Sequence, residues 1–314
     1  MAEFRQNVYV ENKQENKPAM LSIIIITMNR HEQLIEAIDS CLKCQLPEKT
    51  KIFVFDNGST DDTGNYLKEY LTDHQRVPVV YHRSEINLGV GGGRSAAFEM
   101  VDSKYVYFLD DDALIEDYCK DCFFTNSIDY LERHQEVASL STEINDKYLG
   151  KSRTTPKSKH YIEGRPCIMM YLGGSHFLRS SAFSNPLYLN IKYGLEELYP
   201  SIKTIDKGYY HVLDKDISIY HNPRVNKWEK DSNQLKDIQV SYCVNNYCSK
   251  KILYPNVFLP LLQLALFLRC KQYSISNKNA IKRRIQEFDF TNKHDVIHVG
   301  TVVKMLCEFG MKVF

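Results

Sequence analysis

The chain has 314 residues, 43% hydrophobic and 25% charged, enough for a sizeable core in one large domain or two smaller ones. Lys plus Arg is 40 against 39 for Asp plus Glu, a net charge of +1 that argues against a global nucleic-acid-binding surface. Mean hydropathy is -0.38, and no apolar run approaches the roughly 18–20 residues of a transmembrane helix. Residues 1–20 are polar and lack the apolar centre and cleavage site of a secretory signal. Nine scattered cysteines, an odd count, predict a reduced, cytoplasmic protein without a disulfide framework.

Residues 21–26 (LSIIII) form a nearly continuous apolar run, the pattern of a strand buried on both faces. Residues 31–42 follow with helical spacing. Residues 51–55 predict a second strand and 60–71 a second helix. Residues 78–81 predict a third strand, then a glycine-rich turn and a helix near 93–101. Residues 105–109 are a fourth strand, 114–133 another helix and 137–140 a fifth strand. This alternation predicts βαβ units in a mostly parallel, doubly wound α/β sheet flanked by helices. Its ligands bind at the carboxyl ends of the strands. Residues 142–160 are polar and basic and read as a mobile surface loop. Strand-like runs at 167–172 and 176–178 flank Gly173-Gly174-Ser175. A helix begins near Glu196, and strands follow at 209–213 and 217–220. Beyond Trp228 the pattern is helical, with Leu235, Ile238 and Tyr242 on one face.

Acidic residues cluster at two strand ends. Asp56 closes the second strand within Asp56-Asn57-Gly58-Ser59-Thr60-Asp61-Asp62, and Asp110-Asp111-Asp112 closes the fourth. In a parallel sheet both sets emerge on one edge. Adjacent carboxylates repel unless a cation or donors neutralise them, and hard oxygen ligands suit Mg2+ or Mn2+. Turns and helix N-caps favour the same residues, and that plainer reading suits Asp61 and Asp62. Asn87-Leu88-Gly89-Val90-Gly91-Gly92-Gly93-Arg94 follows the third strand. Its glycines would let the backbone approach a phosphate at a helix N-terminus, or would form a connecting turn. The first strand ends in Thr27-Met28-Asn29-Arg30 with no glycine fingerprint, which disfavours a nicotinamide dehydrogenase. Cys41-x-x-Cys44 and Cys119-x-x-Cys122 invite a zinc reading, but their separation far exceeds the roughly 15–20 residues between the pairs of a zinc ribbon. Buried thiols on helical faces are the favoured reading.

These pieces, in this order, resemble inverting glycosyltransferase family 2, of GT-A fold, and its rhamnosyltransferase-like members in particular. The resemblance runs from Leu21 to about Arg224, and more weakly to about Pro255. It implies a nucleotide-contact element at Thr27, Asn29 and Arg30, and a base-binding turn in which Asp56 meets the pyrimidine. Asn87, Gly89, Gly92 and Arg94 would belong to the donor loop. Asp110-Asp111-Asp112 would be the DXD motif, with Asp112 the metal ligand, Asp110 nearer the ribose or metal, and Asp111 beside the nucleotide. His221 would complete the metal and diphosphate site. The segment from Leu172 to Arg179 resembles the acceptor-side loop. Glu196-Glu197 resembles an acidic pair at a helix head whose second member, normally Asp, is the base; here that is Glu197. Two departures leave Glu196 as the other candidate: Glu is a methylene longer than Asp, and Tyr199-Pro200 replaces an acid and an aliphatic residue.

The implied activity is transfer of a hexosyl or deoxyhexosyl group from a nucleotide-diphosphate donor, UDP or dTDP, to a hydroxyl of a glycan or lipid-linked acceptor in bacterial surface-polysaccharide synthesis. Such chemistry needs Mn2+ or Mg2+ at the diphosphate, a positioned carboxylate and in-line substrates. No nucleic-acid partner is expected. A sugar nucleotidyltransferase would carry a basic, glycine-rich loop after the first strand, which residues 27–30 do not supply. A non-catalytic carbohydrate-binding relative would have lost the acids. The expected organisation is a polar segment at 1–20, a GT-A catalytic domain at 21–228 and a helical region at 229–314. The domain's nucleotide-binding half would run to about 141 and its acceptor half from about 142. In the helical region, residues 257–268 (VFLPLLQLALFL) are apolar but too short to span a bilayer. Lys250, Lys251, Arg269, Lys271, Lys278, Lys282, Arg283 and Arg284 surround them with no acid before Glu287. That composition describes either a buried helix with a solvated basic flank or a segment lying on the anionic inner face of the cell membrane.

Overall fold

A computed structural model of the chain describes residues 5–7, 19–74, 76–150, 152–191, 193–230, 232–275, 278–288, 290 and 295–314. Most of the polar segment expected at 1–20 lies outside the described residues. Strand β1 (Arg5–Asn7) is followed by β2 (Ala19–Thr27), α1 (His31–Leu42), β3 (Thr50–Asp56), α2 (Thr63–His74), β4 (Val79–Arg83), α3 (Gly89–Met100) and β5 (Ser103–Asp110). Alternate β2 side chains enter opposite cores. Ile23 and Ile25 pack with Leu34 and Ile38 of α1, and Ile24 packs with Ala97 and Phe98 of α3. Both faces are therefore covered, which is why the run is continuously apolar. Strands β4, β3, β2 and β5 are mutually parallel, in that spatial order.

The parallel expectation stops there, and the whole sheet is mixed. Beyond β5 come β6 (Ala113–Ile115), α4 (Phe123–Arg133), β7 (Val137–Asp146), β8 (Lys157–Ile162), β9 (Arg165–Ile168), β10 (Ser175–Arg179), α5 (Leu198–Asp206) and β11 (Tyr210–His221). β10 lies antiparallel between β5 and β7, β11 runs parallel to β7, and β9 and β8 pair antiparallel beyond it. No helix separates β8, β9 and β10 in the chain, and a parallel neighbour needs such a crossover.

Four expectations change for one reason, partners distant in sequence. The helix expected at 114–133 starts only at Phe123, because residues 113–115 pair with residues 219–221 of β11. The loop expected at 142–160 holds the end of β7 and the start of β8. The strands expected at 209–213 and 217–220 are one strand, β11, with an irregularity between Asp214 and Ser218. The glycine-rich turn after β4 is the first turn of α3.

The helical region contains α6 (Asn233–Leu253), α7 (Leu259–Gln272), α8 (Lys278–Glu287) and α9 (Val299–Phe309). Ser232 caps α6, its Oγ accepting the Leu235 N–H at 3.0 Å. Pro260 sits in the first turn of α7, where no backbone N–H is required. Ile202 of α5, Val244 of α6 and Val302 and Met305 of α9 share a second core, which ties this region to the sheet-bearing part of the chain. Among the described residues no helix is long and apolar enough to cross a membrane.

Candidate active site

β2, β3 and β5 end side by side: Thr27 pairs in register with Asp56, and Ile26 with Asp110. The acids expected on one edge are therefore together. Asp111 braces that edge. Its Oδ2 accepts the Thr27 hydroxyl at 2.9 Å, and its Oδ1 lies 2.9 Å from Arg30 Nη1, which also reaches Asp112 Oδ2 at 3.0 Å. Burial pushes the Asp111 carboxyl up to about 7 against the pull of Arg30.

Asp110, Asp112 and His221 offer ligand atoms that all lie within 4.8 Å of one another. His221 reaches this group from the end of β11, with Nε2 3.1 Å from Asp112 Oδ1 and 3.8 Å from Asp110 Oδ2. Its Nδ1 lies 3.0 Å from Asp146 Oδ2, its register partner at the end of β7. A carboxylate on that ring nitrogen favours the tautomer that leaves Nε2 for a cation. Two carboxylates and an imidazole fit Mn2+ or Mg2+.

Arg94 joins this group to the acidic pair. It is 4% exposed, with Nη2 2.6 Å from Asp110 Oδ1 and Nη1 2.8 Å from Glu197 Oε1. Burial alone would raise the Asp110 carboxyl, but Arg94, His221 and Arg153 outweigh it and hold it well below the usual range. Glu197 stands at the N-cap of α5, and burial raises its carboxyl against the opposing pull of Arg94. Glu196 Oε1 accepts the Gly194 N–H at 2.6 Å, and burial with the Glu197 charge pushes its carboxyl up to about 7. The loop before β10 carries glycine where two acids of the site come closest. A Cβ at Gly173 would stand 2.2 Å from Glu197 Oε1, and one at Gly174 (φ +99) would stand 2.9 Å from Asp110 Oδ2.

The remaining predicted positions organise the edge. Asp56 is fully buried, its carboxylate accepting the Ser59 N–H at 2.7 Å and the Tyr81 hydroxyl, so it braces its turn. Asn57 pins that turn to the start of α3, accepting the Leu88 N–H at 2.9 Å and donating to the Gly89 carbonyl at 3.0 Å. Asn87 Oδ1 accepts the Gly89 N–H at 2.8 Å. Gly91 and Gly93 allow close packing: a Cβ would meet Leu189 O at 3.2 Å in the first case and Asn57 Nδ2 at 3.2 Å in the second. A Cβ at Gly92 would meet only Leu88, at 3.0 Å. Arg94, assigned by resemblance to the donor loop, is committed to two carboxylates.

Sequence reasoning missed Asp146 and Arg153. Arg153 Nη2 lies 3.0 Å from Asp146 Oδ2 and 3.2 Å from His221 Nε2. Asp146 and Arg153 fall in the aperiodic polar stretch, where no local signal marks them. Tyr242 is legible as part of a helical face, yet its ring fills the space beside Gly194, where a Cβ would meet it at 2.5 Å. Asn245 holds the same segment, donating to Gly194 O at 2.7 Å and Tyr193 O at 3.0 Å. So α6 shapes the loop leading to Glu196. Cys41, Cys44 and Cys119 are buried in the core, and burial pushes the Cys44 thiol up to about 12. Cys44 follows α1 and Cys122 precedes α4, so neither pair lies wholly on a helical face.

Residues 22–165 match Glycosyl transferase family 2. Among curated proteins, the chain is 26% identical over 128 residues to the Escherichia coli UDP-Glc:alpha-D-GlcNAc-diphosphoundecaprenol beta-1,3-glucosyltransferase WfaP, covering 41% of this chain and 47% of that one. Among solved structures, S. aureus TarS 1-349 in complex with UDP-GlcNAc superposes with a TM-score of 0.59 at 15% identity, over 94% of this chain and 89% of that one. The mannosyltransferase PcManGT from Pyrobaculum calidifontis, in complex with GDP-Man and Mn2+, gives a TM-score of 0.56 at 14% identity, over 93% and 76%. The likeness to these two structures shows a GT-A fold.

Proposed function

From the premise that the chain belongs to glycosyltransferase family 2, we propose that it transfers a sugar, with inversion, from a UDP- or dTDP-sugar to a hydroxyl of a glycan or lipid-linked acceptor in bacterial surface-polysaccharide synthesis. The observation that carries this reading is the Arg94 bridge. One buried guanidinium joins Asp110, in the metal-ligating group, to Glu197, so that leaving-group site and base form one preorganised unit.

In this reading residues 21–141 hold the donor, 142–228 present the acceptor, and 229–314 buttress the acceptor side through α6. Thr27, Arg30, Asp111 and the turn braced by Asp56 frame the nucleotide, with Asn87, Gly89 and Gly92 closing the donor loop. Asp110, Asp112 and His221 would hold Mn2+ or Mg2+, which when bound neutralises charge on the diphosphate. Asp146 keeps His221 in its ligating tautomer, and Arg153 adds positive charge on the same side. Glu197 is the base. Arg94 keeps it ionised and aimed, while burial keeps it more basic than a solvated carboxylate. The acceptor oxygen attacks the anomeric carbon as the bond to the diphosphate breaks. The electron pair leaves on the phosphate oxygen, and the hydroxyl proton passes to Glu197.

WfaP supports a lipid-diphosphate acceptor, since its name specifies one, and PcManGT supports a divalent cation. A lipid-linked acceptor would be met at the inner face of the membrane, by a cytoplasmic enzyme. Nucleotide release from UDP-, dTDP- and GDP-sugars, with Mn2+ or EDTA, tests the proposal. Release of UDP or dTDP that EDTA abolishes is expected. Diphosphate release from a nucleoside triphosphate with a sugar phosphate would overturn it.

A further inference from the structure

α7 is apolar on two sides, and only one faces protein. Leu262 is buried, and Ala265, Leu266 and Cys270 pack with it against the second core. On the outer side Leu261, Leu264 and Leu268 recur at helical spacing, 38%, 52% and 53% exposed, with Phe267 beside them at 59% and Val257, in the turn just before the helix, at 70%. A core helix needs one apolar stripe, and this one carries a second in water. A contiguous exposed apolar patch marks an interaction surface.

Charge selects the partner. Lys271 extends the outer stripe at the exposed end of α7, and Lys278 and Lys282 are exposed on α8. The other cations are engaged elsewhere: Lys250 and Arg269 reach the Phe314 carbonyl, Lys251 stands over the Phe290 ring at 4.8 Å, Arg283 lies 3.7 Å from Glu287, and Arg284 pairs with Asp237. No Asp or Glu occurs between Lys250 and Gln286. A second copy meeting this face would set Lys271 against Lys271. An anionic bilayer would set them against phosphates while the stripe enters the acyl boundary. We propose that the outer face of α7, with Lys271, Lys278 and Lys282, docks on an anionic lipid bilayer. The inference rests on the exposed stripe and not on the transferase reading, though a lipid-linked acceptor would be presented at the same surface.

Flotation of the full chain with phosphatidylcholine vesicles, with and without phosphatidylglycerol, tests this. At low salt the protein should float only with phosphatidylglycerol, and added salt should release it. Leu264→Gln with Phe267→Gln should abolish flotation while the melting temperature and nucleotide release from soluble donor stay at the parent's level. If that pair lowers the melting temperature, Phe267→Gln alone should still weaken flotation. Lys271→Gln and Lys282→Gln should each weaken partitioning about fivefold, the equivalent of ~1 kcal/mol. Equal flotation with both vesicles, none with either, or unchanged flotation of the variants overturns the proposal. So does a dimer in solution that the Leu264 and Phe267 variants dissociate. Loss of nucleotide release with normal flotation would instead count against the transferase reading alone.

Discussion

Replacing Arg94 by Met keeps an unbranched apolar stem and removes the charge that binds two carboxylates. In the parent, Arg94 and Glu197 side chains are 5% and 7% exposed at 2.8 Å, and Asp110 is 27% exposed at 2.6 Å. Removing one partner of a buried pair costs about 3–5 kcal/mol, because the remaining charge is left without compensation. Asp110 keeps His221 and Arg153 nearby and some contact with water, so Glu197 dominates the cost. The expected loss for Arg94→Met is therefore about 3–5 kcal/mol at alkaline pH, within the roughly 5–15 kcal/mol of a typical folded chain. The sign with pH follows from linkage. Without Arg94 the Glu197 carboxyl rises further above its value in the unfolded chain, so the folded variant binds more protons and loses stability as pH rises. Asp110 also loses its depression, and with it stability that the parent holds above the ordinary carboxylate range. The deficit should thus be largest at alkaline pH and shrink towards a pH of about 5. Urea unfolding in EDTA across that range reads it. Adding Glu197→Gln to Arg94→Met should restore much of the loss, since the two sites share one interaction. A variant within about 1 kcal/mol of the parent throughout, or a deficit independent of pH, would refute the reasoning.

Asp112→Asn should leave the melting temperature near the parent's and abolish Mn2+-dependent binding of UDP or dTDP in calorimetry; unchanged binding removes Asp112 from the site. Glu197→Gln should lower turnover by roughly 10²–10⁴ with donor KM little changed, and Glu196→Gln should be milder; the reverse ranking moves the base to Glu196. The parent's kcat/KM should climb with pH above the ordinary carboxylate range as Glu197, raised by burial, gives up its proton, and Glu196→Gln should move that rise lower by removing the like charge beside Glu197. Gly173→Ala should displace the Glu197 carboxylate, lowering turnover at least about tenfold while nucleotide binding persists, and equal turnover would show that Glu197 needs no fixed place.

The first half of the chain was legible because its signals are local. Residues 21–26 are apolar at every position since both faces of β2 are covered, and a strand-end acid follows its strand directly in the chain. The same locality misled wherever partners were distant. Residues 113–115 read as helix until β11 pairs with them, and the glycines after β4 read as a turn although they admit the loop at Leu189 and Ile191 against α3. Asp146 and Arg153 sat unmarked in a polar stretch because their importance depends on where β7 ends beside β11.

What the sequence determined by itself was the alternation of strands and helices in the first half, the acids on one sheet edge, and the candidate set of Asp110, Asp112, His221, Glu196 and Glu197. The alternation and the strand-end acids follow from residue type at short range, through burial period and strand-end position, whereas His221, Glu196 and Glu197 were singled out by their resemblance to glycosyltransferase family 2. Only the tertiary structure decided that Arg94 holds Asp110 and Glu197 together, that Asp146 aims His221, and that the outer stripe of α7 faces water. Those are relations between residues as many as 103 positions apart in the chain, and periodicity carries no information about which distant side chains share a charge or cover a surface.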